Sequence, residues 1–182
     1  MSYYTPITSW TVPKHGWYKA FEEMEDDGRQ GNEGTCFLVG SRKDEIARIT
    51  DLAFLRGPGI EKHPDLITIS DDLIHELALK IAGSDRCILG QIHSHGINYS
   101  TNLSQTDHRY TMRVPGFLSI VAPNYAQEIV TPEECGVHVF ETSYGFRRMQ
   151  PQEARVRLNI VLDEDCGLIY VGGTEQCKSK SL

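Results

Sequence analysis

The sequence predicts a single-domain α/β layered fold, one mixed central sheet flanked by helices. Three observations point there. Short, nearly all-apolar, β-rich runs recur at Thr35–Val39, Cys87–Ile92 and Phe117–Ala122, the pattern of strands buried on both faces. Two stretches, 16–25 and 71–81, space their apolar residues three and four apart, as amphipathic helices do. Strands and helices mix without strict βα alternation, and no repeat, low-complexity tract or linker divides the 182 residues, a length that suffices for one hydrophobic core.

Taken in order, residues 1–13, with Pro6 and Pro13, read as extended loop. Trp17, Phe21 and Met24 then make the apolar stripe of a short helix that stops at Asp26-Asp27-Gly28. After the polar segment 28–34, Thr35–Val39 is a buried strand, and Ser41–Asp44 is the turn into a second strand over Glu45–Leu55. Gly57–Leu66 reads as a long loop, a form that often carries binding residues. Ser70 caps the next helix, Asp71 and Asp72 complement its dipole, and Leu73, Ile74, Leu77, Ala78 and Ile81 form its apolar face, with Gly83 as the stop.

The strand at 87–92 delivers His93 and His95, and Ser104 opens a short helix running to about Arg113. Phe117–Ala122 is a strand and Pro123–Cys135 a second long loop. Val137–Glu141 and Gly145–Met149 form a hairpin, 152–158 a helix, and 160–162 and 168–171 late strands. The polar tail, 173–182, reads as frayed.

A net charge of −7 argues against a general binder of nucleic acid or anionic membrane, either of which needs a basic surface. The five cysteines (36, 87, 135, 166 and 177) are widely spaced and odd in number, which favours a reducing compartment over a disulfide framework. No apolar run approaches bilayer-spanning length, and the first residues lack the basic and apolar regions of a secretory signal, so a cytoplasmic location is expected.

The chemistry is concentrated at 90–107. His93 and His95 stand two apart at a strand end, so their imidazoles share a face and can meet one metal ion. Asp107 supplies a hard oxygen as third ligand, and two imidazoles with one carboxylate suit a catalytic zinc. A His-x-His pair alone is commonplace, and Ser104-x-x-Asp107 alone is an ordinary helix cap; their joint occurrence is what carries weight. The other polar residues read as structural. His108, next to Asp107 on a helix, points about 100° away from it. His63, His75 and His138 have no partner at ligand spacing, and Cys36 reads as core packing.

These residues resemble the JAMM metalloproteases, the JAB or MPN-type zinc proteases, whose pattern is a glutamate, His-x-His, a spacer and Ser-x-x-Asp. Here the matching residues are Glu33, His93-Ser94-His95 and Ser104-Gln105-Thr106-Asp107, with Glu33-Gly34-Thr35 leading into an apolar strand that ends at Gly40. The resemblance spans about residues 14–122, the motif core of a single 1–182 domain whose remaining strands and helix occupy 123–172. This chain departs from the pattern in having Gly96 rather than proline after the second histidine, and eight residues rather than seven between His95 and Ser104.

The resemblance implies a JAB/MPN-like, cytidine-deaminase-like fold and one catalytic Zn²⁺ held by His93, His95 and Asp107. It implies Glu33 as general base and acid, and Ser104 as oxyanion helper. The expected substrate is ubiquitin or a ubiquitin-like protein, cut after its C-terminal glycine, with conjugation-pathway enzymes as further partners and neither nucleic acid nor membrane among them. Substrate-binding insertions would fall in Gly57–Leu66 and Pro123–Cys135. Two other readings accompany it: a catalytically silent scaffold of the same fold, against which the complete ligand set speaks, and a zinc amidase acting on a sulfur-carrier protein or small molecule.

Overall fold

The computed structural model describes residues 6–162 and 164–173. In chain order the elements are β1 (Ser9–Pro13), α1 (Lys14–Gly28), β2 (Thr35–Lys43), β3 (Ile46–Leu55), β4 (Ile60–Lys62), β5 (Ile67–Ile69), α2 (Asp71–Ile81), β6 (Cys87–Ser94) and α3 (Gln105–Tyr110). Then follow β7 (Leu118–Ala122), two 3₁₀ turns (Asn124–Ala126 and Pro132–Glu134), β8 (Gly136–Glu141), β9 (Gly145–Arg148), α4 (Pro151–Arg157), β10 (Leu158–Val161) and β11 (Gly167–Val171).

The central sheet is mixed, as expected, with strand order β10-β1-β3-β2-β6-β7-β8-β9. β1 runs parallel to both β10 and β3, and β6 parallel to β7; β2 pairs antiparallel with β3 and β6. β3 shares one edge between two partners, β1 along Ile46–Arg48 and β11 along Asp51–Leu55.

Two apolar layers cover the sheet, and the alternation of side chains along β2 assigns each residue to one of them. Cys36 and Leu38 pack into the cluster of Trp17, Ala20, Phe21 and Met24 from α1; Phe37 and Val39 pack against Leu73, Leu77 and Ile81 from α2. β3 does the same with Leu52 and Phe54 on one side and Ala53 and Leu55 on the other. Each large side chain buried this way contributes about 1.5–3 kcal/mol, so three such residues on α1 outweigh its lack of a side-chain N-cap. α2 is capped as expected: the Ser70 hydroxyl accepts from the Leu73 N–H, with Asp71 and Asp72 in the first turn and Lys80 in the last.

Several boundaries differ from the sequence reading. Residues 9–13 are a strand, because β3 and β10 offer β1 a parallel partner on each side. Ser41–Lys43 continue β2, pairing with Ile46–Arg48, and the turn shrinks to Asp44–Glu45, with Asp44 in the left-handed region at φ 54°. Gly57–Leu66 is largely structured: β4 pairs antiparallel with β5 in a separate small hairpin, closed by the bond from the His63 N–H to the Leu66 carbonyl at 2.8 Å. Ala78 lies exposed, off the buried face of α2. Within Pro123–Cys135 the chain makes two 3₁₀ turns, and the Trp17 indole N–H ties the segment to α1 through the Val130 carbonyl at 2.9 Å. Most of the tail expected to fray lies outside the described residues. No helix of the described residues is long and apolar enough to cross a membrane.

Candidate metal centre

β6 ends at Ser94, between antiparallel β2 and parallel β7, and the chain must cross over to reach β7. That crossover contains α3, which places Asp107 over the strand end where the histidines emerge. His93 pairs in register with Thr35 and Val121, and the His95 N–H extends the ladder by donating to the Ala122 carbonyl at 2.9 Å. Both imidazoles are buried.

The three ligand groups converge. His93 Nε2 lies 3.3 Å from His95 Nε2 and 3.3 Å from Asp107 Oδ1, and His95 Nε2 lies 3.3 Å from Asp107 Oδ2. A four-coordinate zinc with bonds of about 2.0–2.1 Å spaces its ligands about 3.3–3.4 Å apart, so the donors stand at metal-binding separation. His93, His95 and Asp107 together could bind a metal ion.

The surroundings orient the donors. A carbonyl can only accept, so the 2.7 Å contact between His95 Nδ1 and the Ser100 carbonyl makes Nδ1–H the donor and turns the Nε2 lone pair to the centre. The Ser104 hydroxyl accepts from the Asp107 N–H at 3.1 Å while the Ser104 N–H donates to Asp107 Oδ2 at 2.7 Å, a full capping box. Burial opposes ionisation of Asp107, but the two imidazoles and the Ser104 N–H hold its carboxyl well below the usual carboxylate range. Burial likewise works against charging His95, yet Asp107, the Ser100 carbonyl and Glu33 together raise its pKa.

Glu33 precedes β2 and is only 8% exposed. Its N–H donates to the His63 carbonyl, and the next residue is bolted to the centre of the His-x-His stretch: the Gly34 N–H donates to the Ser94 hydroxyl and the Ser94 N–H to the Gly34 carbonyl, each at 2.9 Å. Burial pushes the Glu33 carboxyl up to about 7, against the pull of His95, with Asp107 and Asp65 adding to the rise. Two of the three charges that act on Glu33, His95 and Asp107, therefore belong to the donor cluster.

Both candidate substrate loops reach this place. The Tyr125 hydroxyl donates to the Pro64 carbonyl at 3.1 Å, joining the two, and the Tyr125 N–H donates to the His95 carbonyl at 2.7 Å. Tyr125 sits in a turn whose three residues, Asn124, Tyr125 and Ala126, all have positive φ (52°, 57° and 55°). Such backbone is costly for residues with a Cβ and clusters at functional sites. Gly96 faces this turn: a Cβ there would lie 2.9 Å from the Tyr125 hydroxyl and 3.0 Å from the Tyr99 ring. Any side chain at position 96 would have to push these two tyrosine rings aside, and glycine leaves them in place.

Sequence reasoning missed Ser94, the Ser100 carbonyl and Tyr125. The serines carried no signal beyond their nearness to the histidines, and nothing local marks a left-handed tyrosine. The remaining histidines behave as read. His108 is exposed with its ring near Phe146, and His138 is buried and kept neutral, its pKa lowered to about 4 chiefly by burial. Cys36 packs in the core.

No family model matches the chain. No curated protein matches it either. Among solved structures it is similar to the solution structure of protein DSY2949 from Desulfitobacterium hafniense, at 22% identity and a TM-score of 0.52, over 86% of this chain and 94% of that one. A solution structure of a protein from Salinibacter ruber aligns at 19% identity and a TM-score of 0.46, over 76% and 87% of the two chains. At these identities the first likeness speaks for a shared α/β fold, and for the fold alone.

Proposed function

We propose that this chain is a zinc-dependent isopeptidase or peptidase of the JAMM type, with a JAB/MPN-like fold, cleaving after the C-terminal glycine of ubiquitin or a ubiquitin-like modifier. The observation that carries the reading is a convergence: three donors 3.3 Å apart beside a buried glutamate whose pKa lies near 7. A purely structural His–Asp cluster has no use for that glutamate.

The donor set favours zinc, since two imidazoles and one carboxylate are a common three-residue complement for a catalytic zinc ion. When bound, the ion supplies Lewis acidity, lowering the pKa of a water to about 7 and polarising a carbonyl. Glu33, with a carboxyl poised near neutrality, takes a proton from the attacking water and returns one to the leaving amine. Ser104, engaged as an acceptor at the helix cap, keeps its own O–H proton free to donate to the developing oxyanion. The loops joined by the Tyr125–Pro64 bond frame the approach to the site. Conjugation-pathway enzymes as partners and a cytoplasmic setting accompany this reading.

The test is metal analysis of the purified chain, followed by incubation with ubiquitin-like fusions and mass spectrometry of the products. One zinc per chain is expected, with products ending in glycine that disappear on chelation and in Glu33→Gln. Zinc retained undiminished in a His93→Ala/His95→Ala double variant sinks the site; a fully metallated enzyme that leaves every fusion intact sinks the substrate class.

A further inference from the structure

We propose that Arg148 is a positioning residue of the metal centre, acting from β9 through the loop between His95 and Ser104 to hold the Ser100 carbonyl that orients the His95 ring. The inference rests on the metal-centre reading above and assigns a role to a residue far from it in sequence.

The loop's own bonds, from the Tyr99 N–H to the Gly96 carbonyl and from the Asn102 N–H to the Ser100 hydroxyl, each at 3.1 Å, tie it only to itself. Residues 97–100 are exposed, Asn98 is in the left-handed region at φ 66°, and between 97 and 103 only Leu103 is buried. Yet Ser100 must present its carbonyl at 2.7 Å to His95 Nδ1. Arg148 supplies the anchor: one guanidinium nitrogen, Nη2, donates to Thr101 Oγ1 at 2.8 Å, and the other, Nη1, donates to Asn102 Oδ1. These are the two residues directly after Ser100, so the guanidinium fixes the peptide planes that aim its carbonyl. The loop also needs a seat on β8, where a Cβ at Gly136 would lie 1.8 Å from the Thr101 carbonyl oxygen, a contact that glycine alone permits.

The contrast with its neighbour supports the assignment. Arg147 is spent on carboxylates, at 2.8 Å to Glu141 and 2.7 Å to Glu153. Arg148, among the described residues, forms no ion pair and gives its side chain to the loop's hydroxyl and amide. A planar fork reaching two acceptors at once is something lysine cannot reproduce. The chain Arg148–Thr101/Asn102–Ser100–His95 is thus an outer-shell support of the kind whose loss typically weakens metal binding about 10–100-fold.

The experiment measures zinc affinity by competition with a chromophoric chelator, and the His95 tautomer by ¹⁵N NMR of the metal-free chain, in wild type, Arg148→Met, Arg148→Lys and Thr101→Val/Asn102→Ala. Arg148→Met is expected to bind zinc about 10–100-fold more weakly and to lose the pure Nδ1–H tautomer of His95. Arg148→Lys should recover part of both effects, and the loop double variant should reproduce the loss even if Arg148→Met proves too unstable to purify. Wild-type affinity and an unchanged tautomer in both disrupting variants overturn the proposal. Should wild type itself take up no zinc, the metal reading falls, and the tautomer shift still judges the support chain on its own.

Discussion

Replacing Glu33 with glutamine removes the charge while keeping the shape, and the structure sets the size and sign of the result. The carboxyl titrates at about 7 in the folded chain against an ordinary value of 4.5. Because the folded value is the higher one, its stabilising contribution is complete below pH 4.5 and disappears as the pH rises through 7. Above that, the folded state carries a buried carboxylate that water would solvate better. The difference of roughly 2.5 pH units, at about 1.4 kcal/mol each, comes to about 3 kcal/mol. Metal-free Glu33→Gln should therefore be about 3 kcal/mol more stable than wild type at pH 8 and equal to it at pH 4. Urea unfolding of the chelator-treated proteins at both pH values measures this through the midpoint at fixed slope. A gain that is the same at pH 4 and pH 8 refutes the reasoning, since it would mean the glutamate is not held in a desolvated pocket. The same variant should lose hydrolytic activity, so the residue that costs stability is the one the proposed reaction needs.

Two more expectations follow from the surroundings of the site. Gly96→Ala puts a methyl 2.9–3.0 Å from the tyrosine rings and should cost about 1–3 kcal/mol; in a Tyr125→Leu background most of the cost should vanish, and a strictly additive double-mutant cycle counts against the steric account. His138, buried and lowered to about 4 from 6.5, has its lower value in the folded state, so its contribution is present above pH 6.5 and is lost as the pH falls toward 4. Wild type should lose about 3 kcal/mol more than His138→Leu between pH 7 and pH 4, readable as diverging urea midpoints; parallel midpoints would show that His138 is not held neutral.

How much of this was legible beforehand depends on how local each signal is. The stripe of Trp17, Phe21 and Met24 announced α1, and the unbroken run at Thr35–Val39 announced a strand covered on both faces, because burial leaves its period in the residues themselves. β1 has no such mark: its five residues become a strand only because β3 and β10, far along the chain, border it. The β4–β5 hairpin was hidden for a similar reason, having three residues a side, half exposed, around Pro64. In the site, the three candidate ligands lie within fifteen residues of one another and were readable as a set, whereas Glu33 needed a family resemblance to single it out. Tyr125 and Arg148 act through a left-handed turn and a contact across the sheet, and neither leaves a periodic trace.

The divided edge of β3 has a consequence for how the molecule comes to be built. Glu33 and the three candidate donors are synthesised by residue 107, but the flank of the strand behind them is closed only when β10 has lined up beside β1 and β11 has filled the other half of β3. Until some sixty residues more have emerged, the nascent chain carries a complete set of metal donors on a sheet with a bare edge, a template for pairing with other chains. The sheet that carries the three donors is thus completed by strands, β10 and β11, that supply none of them.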